Sequence, residues 1–423
     1  MSVRSWKRPT AVVASVLLAG SAALSAAAPA TYARAHEASA ALKAITIGTL
    51  YAGSGSFATS SLAQYSGLKF WASSVDKTGG VYVRAVGHKL PVHLVAYNDE
   101  SSTSTATTLY DQLITENHVD ILVADFGSVL TSVGIPVAAE HKMLLFDVTG
   151  TGASFFKTPS PYIVLTSLPS SAIWPDSLAR FLISHKIHRV AILYDANDFD
   201  QSQAATLTAD LKAAHIQPVY DNAVPTTTNN YTVLIHNIAA TQPDAVCEFG
   251  YDTNDIPFLQ NLAASGEHFP MVFTVFPGQE YALFLKNVGS QGIEYTYTYP
   301  TPPLVAYNHV NFGPGISSFL AAYRKAEGQQ ADFLTVAGYN AGLVIQKALA
   351  TAPSLSQLAL RRAVQSFSGH LFTLDGRFAV NASGAQVGET LPVAQFQPYH
   401  GSVRPVVVFP ADVATGKAVY PAP

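Results

Sequence analysis

The residues best suited to chemistry sit in short loops rich in glycine and hydroxyls, and most of the familiar catalytic patterns fail on spacing. Gly150-Thr151-Gly152-Ala153-Ser154-Phe155 begins like a dinucleotide-binding turn, yet the third glycine that lets helix and strand pack closely is missing. Gly53-Ser54-Gly55-Ser56-Phe57 lacks the closing glycine of a nucleophile elbow. His185 and His188 flank a helix end and do not have the i, i+4 spacing with which one helix face grips a metal. No set of nucleophile, base and orienter emerges, so no catalytic residue, no metal and no cofactor is expected. The single cysteine, Cys247, lies in the strand-like run Asp244-Ala245-Val246-Cys247-Glu248-Phe249 and reads as a small buried hydrophobe.

The chemistry that remains is binding. Three loops combine hydroxyls with glycine: Gly53-Ser54-Gly55-Ser56, Gly127-Ser128 and Thr149-Gly150-Thr151-Gly152. Each follows a predicted strand, and the last two stand where a helix or turn begins. In open parallel sheets, ligands bind beyond the carboxyl ends of the strands, where helix N-termini offer free N–H groups. Hydroxyls and bare amides converging there make a receptor for a carboxylate. Ser128 and Thr149 read equally well as plain helix caps.

The elements that would position these loops alternate along the chain. Ile45-Thr46-Ile47-Gly48 is a strand, and Leu68, Trp71, Ala72 and Val75 then recur at helical spacing before Lys77-Thr78-Gly79-Gly80 stops the helix. Strands are predicted at 92–97, 121–124 and 143–148, with helices at 103–116 and 130–141 between them. The pattern then restarts. A helix at 172–185, a strand at 189–194, a helix at 201–215, a strand at 217–220, a helix at 231–241, a strand at 245–249, a helix at 255–265 and a strand at 271–276 make a second set. Strand-helix alternation of this kind predicts parallel sheets covered by helices. Residues 295–303 read as a crossing segment, followed by helices at 316–327, 333–351 and 355–367 and by hairpin strands from Leu371 onward.

Composition bounds the function. The chain has 423 residues, more than one core usually holds, so two domains are expected. Charged residues make up only 12%, and the net charge is −4, which leaves no electrostatic footprint for nucleic acid and no basic stripe for a membrane surface. So few charges suggest one further expectation, an acidic habitat in which carboxylates protonate. At the N-terminus, Arg4, Lys7 and Arg8 precede an apolar run from Ala11 to Ala28 that ends in small residues. This is the pattern of a Sec-type signal peptide over residues 1–30, cleaved between Ala28 and Ala40. No lipobox cysteine accompanies it, so the expected location is periplasmic or secreted.

With these residues in order, the chain resembles the periplasmic solute-binding proteins of branched-chain amino acid ABC transporters, the type I binding fold. The resemblance runs from Ala44 to about Pro398. It is carried by Ile45–Gly48 with Gly53-Ser54-Gly55-Ser56-Phe57-Ala58, by Asp76-Lys77-Thr78-Gly79-Gly80-Val81, by Val95-Ala96-Tyr97-Asn98-Asp99-Glu100, and more weakly by the helix from Phe333 through Tyr339-Asn340-Ala341. It implies an α/β fold of two Rossmann-like lobes with parallel sheets joined by a three-strand hinge. The expected lobes are residues 44–165 plus 299–372 and residues 166–298 plus 373–423. A monomeric extracytoplasmic component of an ABC importer follows, with a membrane permease as partner and a small carboxylate as ligand. A ligand-sensing receptor module of the same fold, passing its signal to a regulator or chemoreceptor, is the alternative.

Carried over residue by residue, the family's carboxylate-binding serine and its Ala-x-Thr loop match Ser128 and Thr149-Gly150-Thr151. The aromatic that closes over the ligand matches Phe199, and a second one after a glycine matches Tyr251. Phe57 and Phe276 complete the expected ligand set, with Phe273 as further apolar lining. One position departs: the glutamate that pairs with an amino acid's ammonium group falls at Val275 or Phe276. The loss of that carboxylate suggests an amine-free aromatic or aliphatic acid, unless Asp252 or Glu248 compensates.

Overall fold

β-Branched and aromatic runs form the strands, and a computed structural model arranges them in two open sheets. The structure describes residues 42–307 and 309–423, so the predicted signal peptide lies outside the described residues. The first sheet has five strands, β1 (Ile45–Tyr51), β4 (Val92–Asn98), β5 (Ile121–Val123), β6 (Leu145–Asp147) and β7 (Ile163–Leu165), in the order β4-β1-β5-β6-β7. All its neighbours are parallel, with Ile47 opposite both Leu94 and Ile121. The small antiparallel pair β2 (Val81–Val83) and β3 (His88–Leu90) stands beside it.

The second sheet has seven strands in the order β16-β15-β12-β11-β10-β8-β9. These are β8 (Val190–Asp195), β9 (Tyr220–Val224), β10 (Ala245–Phe249), β11 (Val272–Phe273), β12 (Tyr297–Thr298), β15 (Val393–Tyr399) and β16 (Ser402–Phe409). It is parallel from β9 to β12 and antiparallel at the β15–β16 edge. The chain leaves the first sheet after β7 and the second after β12, and it returns to the second only for β15 and β16 after the hairpin of β13 (Leu371–Thr373) and β14 (Gly376–Phe378). Residues 43–423 pack as one unit.

The helices that matter to the site are α1 (Ala58–Asp76), α2 (Thr103–Thr115), α3 (Gly127–Glu140), α4 (Asp176–Ser184), α5 (Asp198–Ala213), α6 (Thr232–Ala240), α7 (Asp252–Ser265), α8 (Tyr281–Asn287), α9 (Gly289–Ile293), α10 (Ile316–Glu327), α11 (Phe333–Thr351) and α12 (Gln357–Phe367). α1 and α11 approach most closely where glycines face backbone: a Cβ on Gly338 would stand 1.9 Å from the Gln64 carbonyl, and one on Gly67 2.0 Å from that of Thr335.

Three differences from the sequence-based expectation have a common cause. α3, α5 and α7 begin at Gly127, Asp198 and Asp252, each three residues before the apolar periodicity. Their first turns face the cleft between the sheets and so carry glycine, hydroxyl, amide and carboxyl groups in place of a hydrophobic stripe. The strand expected at 217–220 lies instead at Tyr220–Val224, because Pro218 has no N–H for the ladder. The strand expected over 271–276 stops at Phe273, and Phe276–Gly278 forms a tight turn with Pro277 inside it.

Candidate functional site

The cleft lies where the carboxyl ends of both sheets meet. From the first sheet come Phe126 and Gly127 after β5 and Thr149 and Thr151 after β6. From the other side come Leu168, Trp174, Phe199, Tyr251, Phe276 and Gln279, with Phe333 at the start of α11. Between them the structure leaves about 10 Å³, on the order of one water molecule. A ligand of amino acid size therefore enters only if the two walls part.

Of the eight expected site residues, Thr149, Thr151, Phe199, Tyr251 and Phe276 line this cleft, Phe57 and Ser128 reach it through contacts with Tyr251, and Gly150 lies behind against Asp147 and Thr131. The Thr149 hydroxyl accepts the Gly127 N–H at 3.0 Å and donates to Gln64 Oε1 at 2.6 Å, while Gln64 Nε2 holds the Ala124 carbonyl at 3.2 Å. Both capacities of Thr149 are thus committed to fixing the start of α3, close to the plain capping role. Ser128 Oγ accepts the Gly152 N–H at 2.9 Å, and its own N–H donates to the Tyr251 hydroxyl at 3.0 Å. Gly150 donates to Asp147 Oδ1 at 2.7 Å and has Thr131 against its Cα, so it supplies close packing and no side chain.

Thr151 differs from its neighbours: its backbone carbonyl accepts from Ser171, while its Oγ1 is buried, lines the cleft and has no partner. Across the cleft the same is true of Gln279 Nε2. Leaving such groups unpaired costs about 1–3 kcal/mol each, and both residues line the same cleft, so each is free to hydrogen-bond an incoming polar group. The positive end of α3 lies beside them.

Aromatic rings fill the rest. Tyr251 has its ring centre 5.4 Å from Phe57, 5.8 Å from Phe126, 5.1 Å from Phe199 and 5.5 Å from Phe276. Trp174 packs edge-on against Phe199 at 5.0 Å. Phe273 does not share this wall; it lies behind, against Phe249 and Tyr299. Gly127 permits the arrangement, because its φ of +71° suits glycine and a Cβ there would stand 3.0 Å from the Tyr251 hydroxyl.

The sequence reading missed Phe126, Trp174, Gln279 and Phe333, which belong to no local motif. Carboxyls also flank the cleft. Asp198 at the start of α5 accepts from the N–H and hydroxyl of Ser154 at 2.9 and 2.8 Å, linking the two walls. Ser60 on α1 donates to Glu280 Oε2 at 3.1 Å, whereas Glu280 Oε1 and Asp252 Oδ1 are buried without a partner. Burial, then the nearby Asp252 and Asp332, hold Glu280 well above the usual carboxylate range, and burial pushes Asp252 up to about 6. Among the described residues no group of three His, Cys, Asp or Glu is poised for a metal, and no helix is long and apolar enough to cross a membrane.

Known proteins share both the chain pattern and the fold. Residues 44–401 match the family model described as periplasmic binding protein. The Leu/Ile/Val-binding protein homolog 7 of Brucella abortus is 24% identical over 336 residues, 76% of this chain and 81% of that relative. The branched-chain amino acid transporter substrate binding protein LivJ from Streptococcus pneumoniae, solved with isoleucine, superposes with a TM-score of 0.72 at 16% identity, covering 87% of this chain and 100% of that one. A solute binding protein of an ABC transporter from R. palustris, solved with benzoate, superposes with a TM-score of 0.71 at 16% identity, covering 86% and 96%. The α/β architecture with its two largely parallel sheets is that of these type I binding proteins, and the chain belongs to the periplasmic binding protein family.

Proposed function

We propose that this protein is the extracytoplasmic solute-binding component of an ABC importer and that its ligand is a small carboxylic acid with an apolar body. The observation that carries this reading is the pairing of unpartnered, buried Thr151 Oγ1 and Gln279 Nε2 across a cleft otherwise lined by aromatic rings. A hydroxyl and an amide N–H can both donate, and Gly127 at the positive end of α3 lines the same cleft, so the group they receive is an acceptor such as a carboxylate. Phe57, Phe126, Trp174, Phe199, Tyr251 and Phe276 enclose the body of the ligand. Residues 44–165 with 299–372 and residues 166–298 with 373–423 act as the lobes that close on it, and the closed monomer docks on a membrane permease. The protein performs no chemistry on what it holds.

A second reading, an α-amino acid, is favoured by Glu280 Oε1 and Asp252 Oδ1, buried carboxyl oxygens without partners beside the cleft. They stand near, though not at, the position where the sequence lost the expected glutamate, and an ammonium group would satisfy them. A thermal-shift panel separates the two: benzoate and 4-methylpentanoate against leucine and isoleucine. Stabilisation by the amine-free acids supports the first reading, and stabilisation by the amino acids alone supports the second. No shift with any of the four contradicts both.

A further inference from the structure

Among the described residues ten carboxyl side chains are buried: Asp99, Asp125, Asp147, Asp195, Asp200, Glu248, Asp252, Asp255, Glu280 and Asp375. None has a cation. Among the described residues the only ion pairs are the surface contacts His141–Asp111 at 2.7 Å and His236–Glu267 at 3.0 Å. Buried charges are normally paired, and an unpaired carboxyl in a dry site takes up a proton.

Four of the ten converge under the second wall of the cleft: Asp195 at the end of β8, Asp200 in α5, Glu248 in β10 and Asp255 in α7. As ionised acceptors, both oxygens of Asp195, both of Glu248, Asp200 Oδ1 and Asp255 Oδ1 find no donor. The donors that do reach the group are few: Asn197 Nδ2 gives 2.6 Å to Asp200 Oδ2, and the Phe276 N–H gives 2.7 Å to Asp255 Oδ2. The carboxyls of Glu248 and Asp255 stand close enough to act on each other, so a proton on one of them relieves the repulsion between like charges. The other titratable groups facing this cluster are Asp252 on α7 and the hydroxyls of Tyr231 and Tyr251, none of them cationic. Cys247 on β10 lies beside Tyr299.

The cluster supports the binding wall directly. Phe199 precedes Asp200, and the Phe276 backbone is tied to Asp255. We infer that the second wall of the cleft is mounted on protonated carboxyls, so that the protein is a receptor for acidic surroundings whose binding wall loosens as the pH rises through neutrality. This goes beyond the proposed ligand class and does not depend on it.

The direction follows from linkage. Burial and mutual repulsion push Asp195 up to about 8 and, by burial above all, Asp255 to about 7 and Asp252 to about 6, and they hold Asp200 and Glu248 well above the usual range. The folded chain then binds more protons than the unfolded one. Stability is fully present below the unfolded carboxyl value of about 4 and is lost as the pH climbs through about 6 to 8.

The test is urea unfolding of the mature chain from pH 4.5 to pH 8, followed by tryptophan fluorescence, since Trp174 touches Phe199 in the wall. The expected midpoint falls by about 1 M or more across that range. In Asp195→Asn/Glu248→Gln the fall shrinks to less than half. The infrared band of protonated carboxyls, present in the wild type at pH 6, weakens in Glu248→Gln. A midpoint that is flat or rises with pH, or the absence of that band at pH 6, overturns the inference, whatever ligand the protein proves to bind.

Discussion

At the scale of single residues, the loops that follow β5 and β6 do what hydroxyls beside a helix start do, but unequally. Thr149 spends both bonding capacities on Gly127 and Gln64, while Thr151 keeps its hydroxyl for the cleft. Thr151→Val preserves shape and removes the donor, so it is expected to weaken a carboxylate ligand by about 1–3 kcal/mol with little change in unfolding midpoint. Isothermal titration calorimetry checks this, and an equal affinity would reduce Thr151 to packing. Thr149→Val is expected to do the reverse, lowering stability by about 1–2 kcal/mol through the lost support of α3, as read by urea unfolding. This distinction was not legible in the sequence, where both threonines flank the same glycine. Gln279 was not legible either: a lone amide in a loop carries no motif, and only the fold sets it opposite Thr151.

At the scale of elements, the alternation of β-branched runs with amphipathic stretches already indicated two parallel sheets, because a strand and a helix differ in hydrophobic period. The helix starts at Gly127, Asp198 and Asp252 escaped that signal because their first turns face the cleft and not the core. The strand displaced to Tyr220–Val224 shows a local rule, the missing N–H of Pro218, overriding an apolar pattern. Close packing of α1 on α11 depends on two glycines that the sequence presents as unremarkable interior positions. Gly338→Ala would force a Cβ to within 1.9 Å of the Gln64 carbonyl. It is expected to cost about 3 kcal/mol or more in urea unfolding, since backbone cannot rotate out of the way as a side chain can. Because Gln64 also orients Thr149, ligand affinity should fall with it. An unchanged unfolding midpoint would mean that the two helices separate freely at this crossing.

At the scale of the whole molecule, the chain belongs to a family of binding proteins, and its own residues qualify what that implies. Composition gave a count of acidic residues and a low share of charge, from which an acidic habitat could be suggested. It could not show that ten carboxyls among the described residues are buried without a cation, since burial is a property of the fold. Nor could it show that aromatic rings from both walls meet so closely that about 10 Å³ remains. If the protein captures a ligand as proposed, opening and closing accompany it, and small-angle scattering is expected to show a larger radius of gyration without ligand than with it. An identical profile in both conditions would contradict lobe closure.

The most direct test of the central claim is calorimetric titration of the mature protein at pH 5 with benzoate, 4-methylpentanoate, leucine and isoleucine, in the wild type and in Thr151→Val/Gln279→Leu. The expected result is one-to-one binding of at least one of these acids, weakened at least about 30-fold in the double variant, the equivalent of about 2 kcal/mol. Binding that the double variant leaves unchanged, or no binding by a well-folded wild type, would contradict a carboxylate held between Thr151 and Gln279.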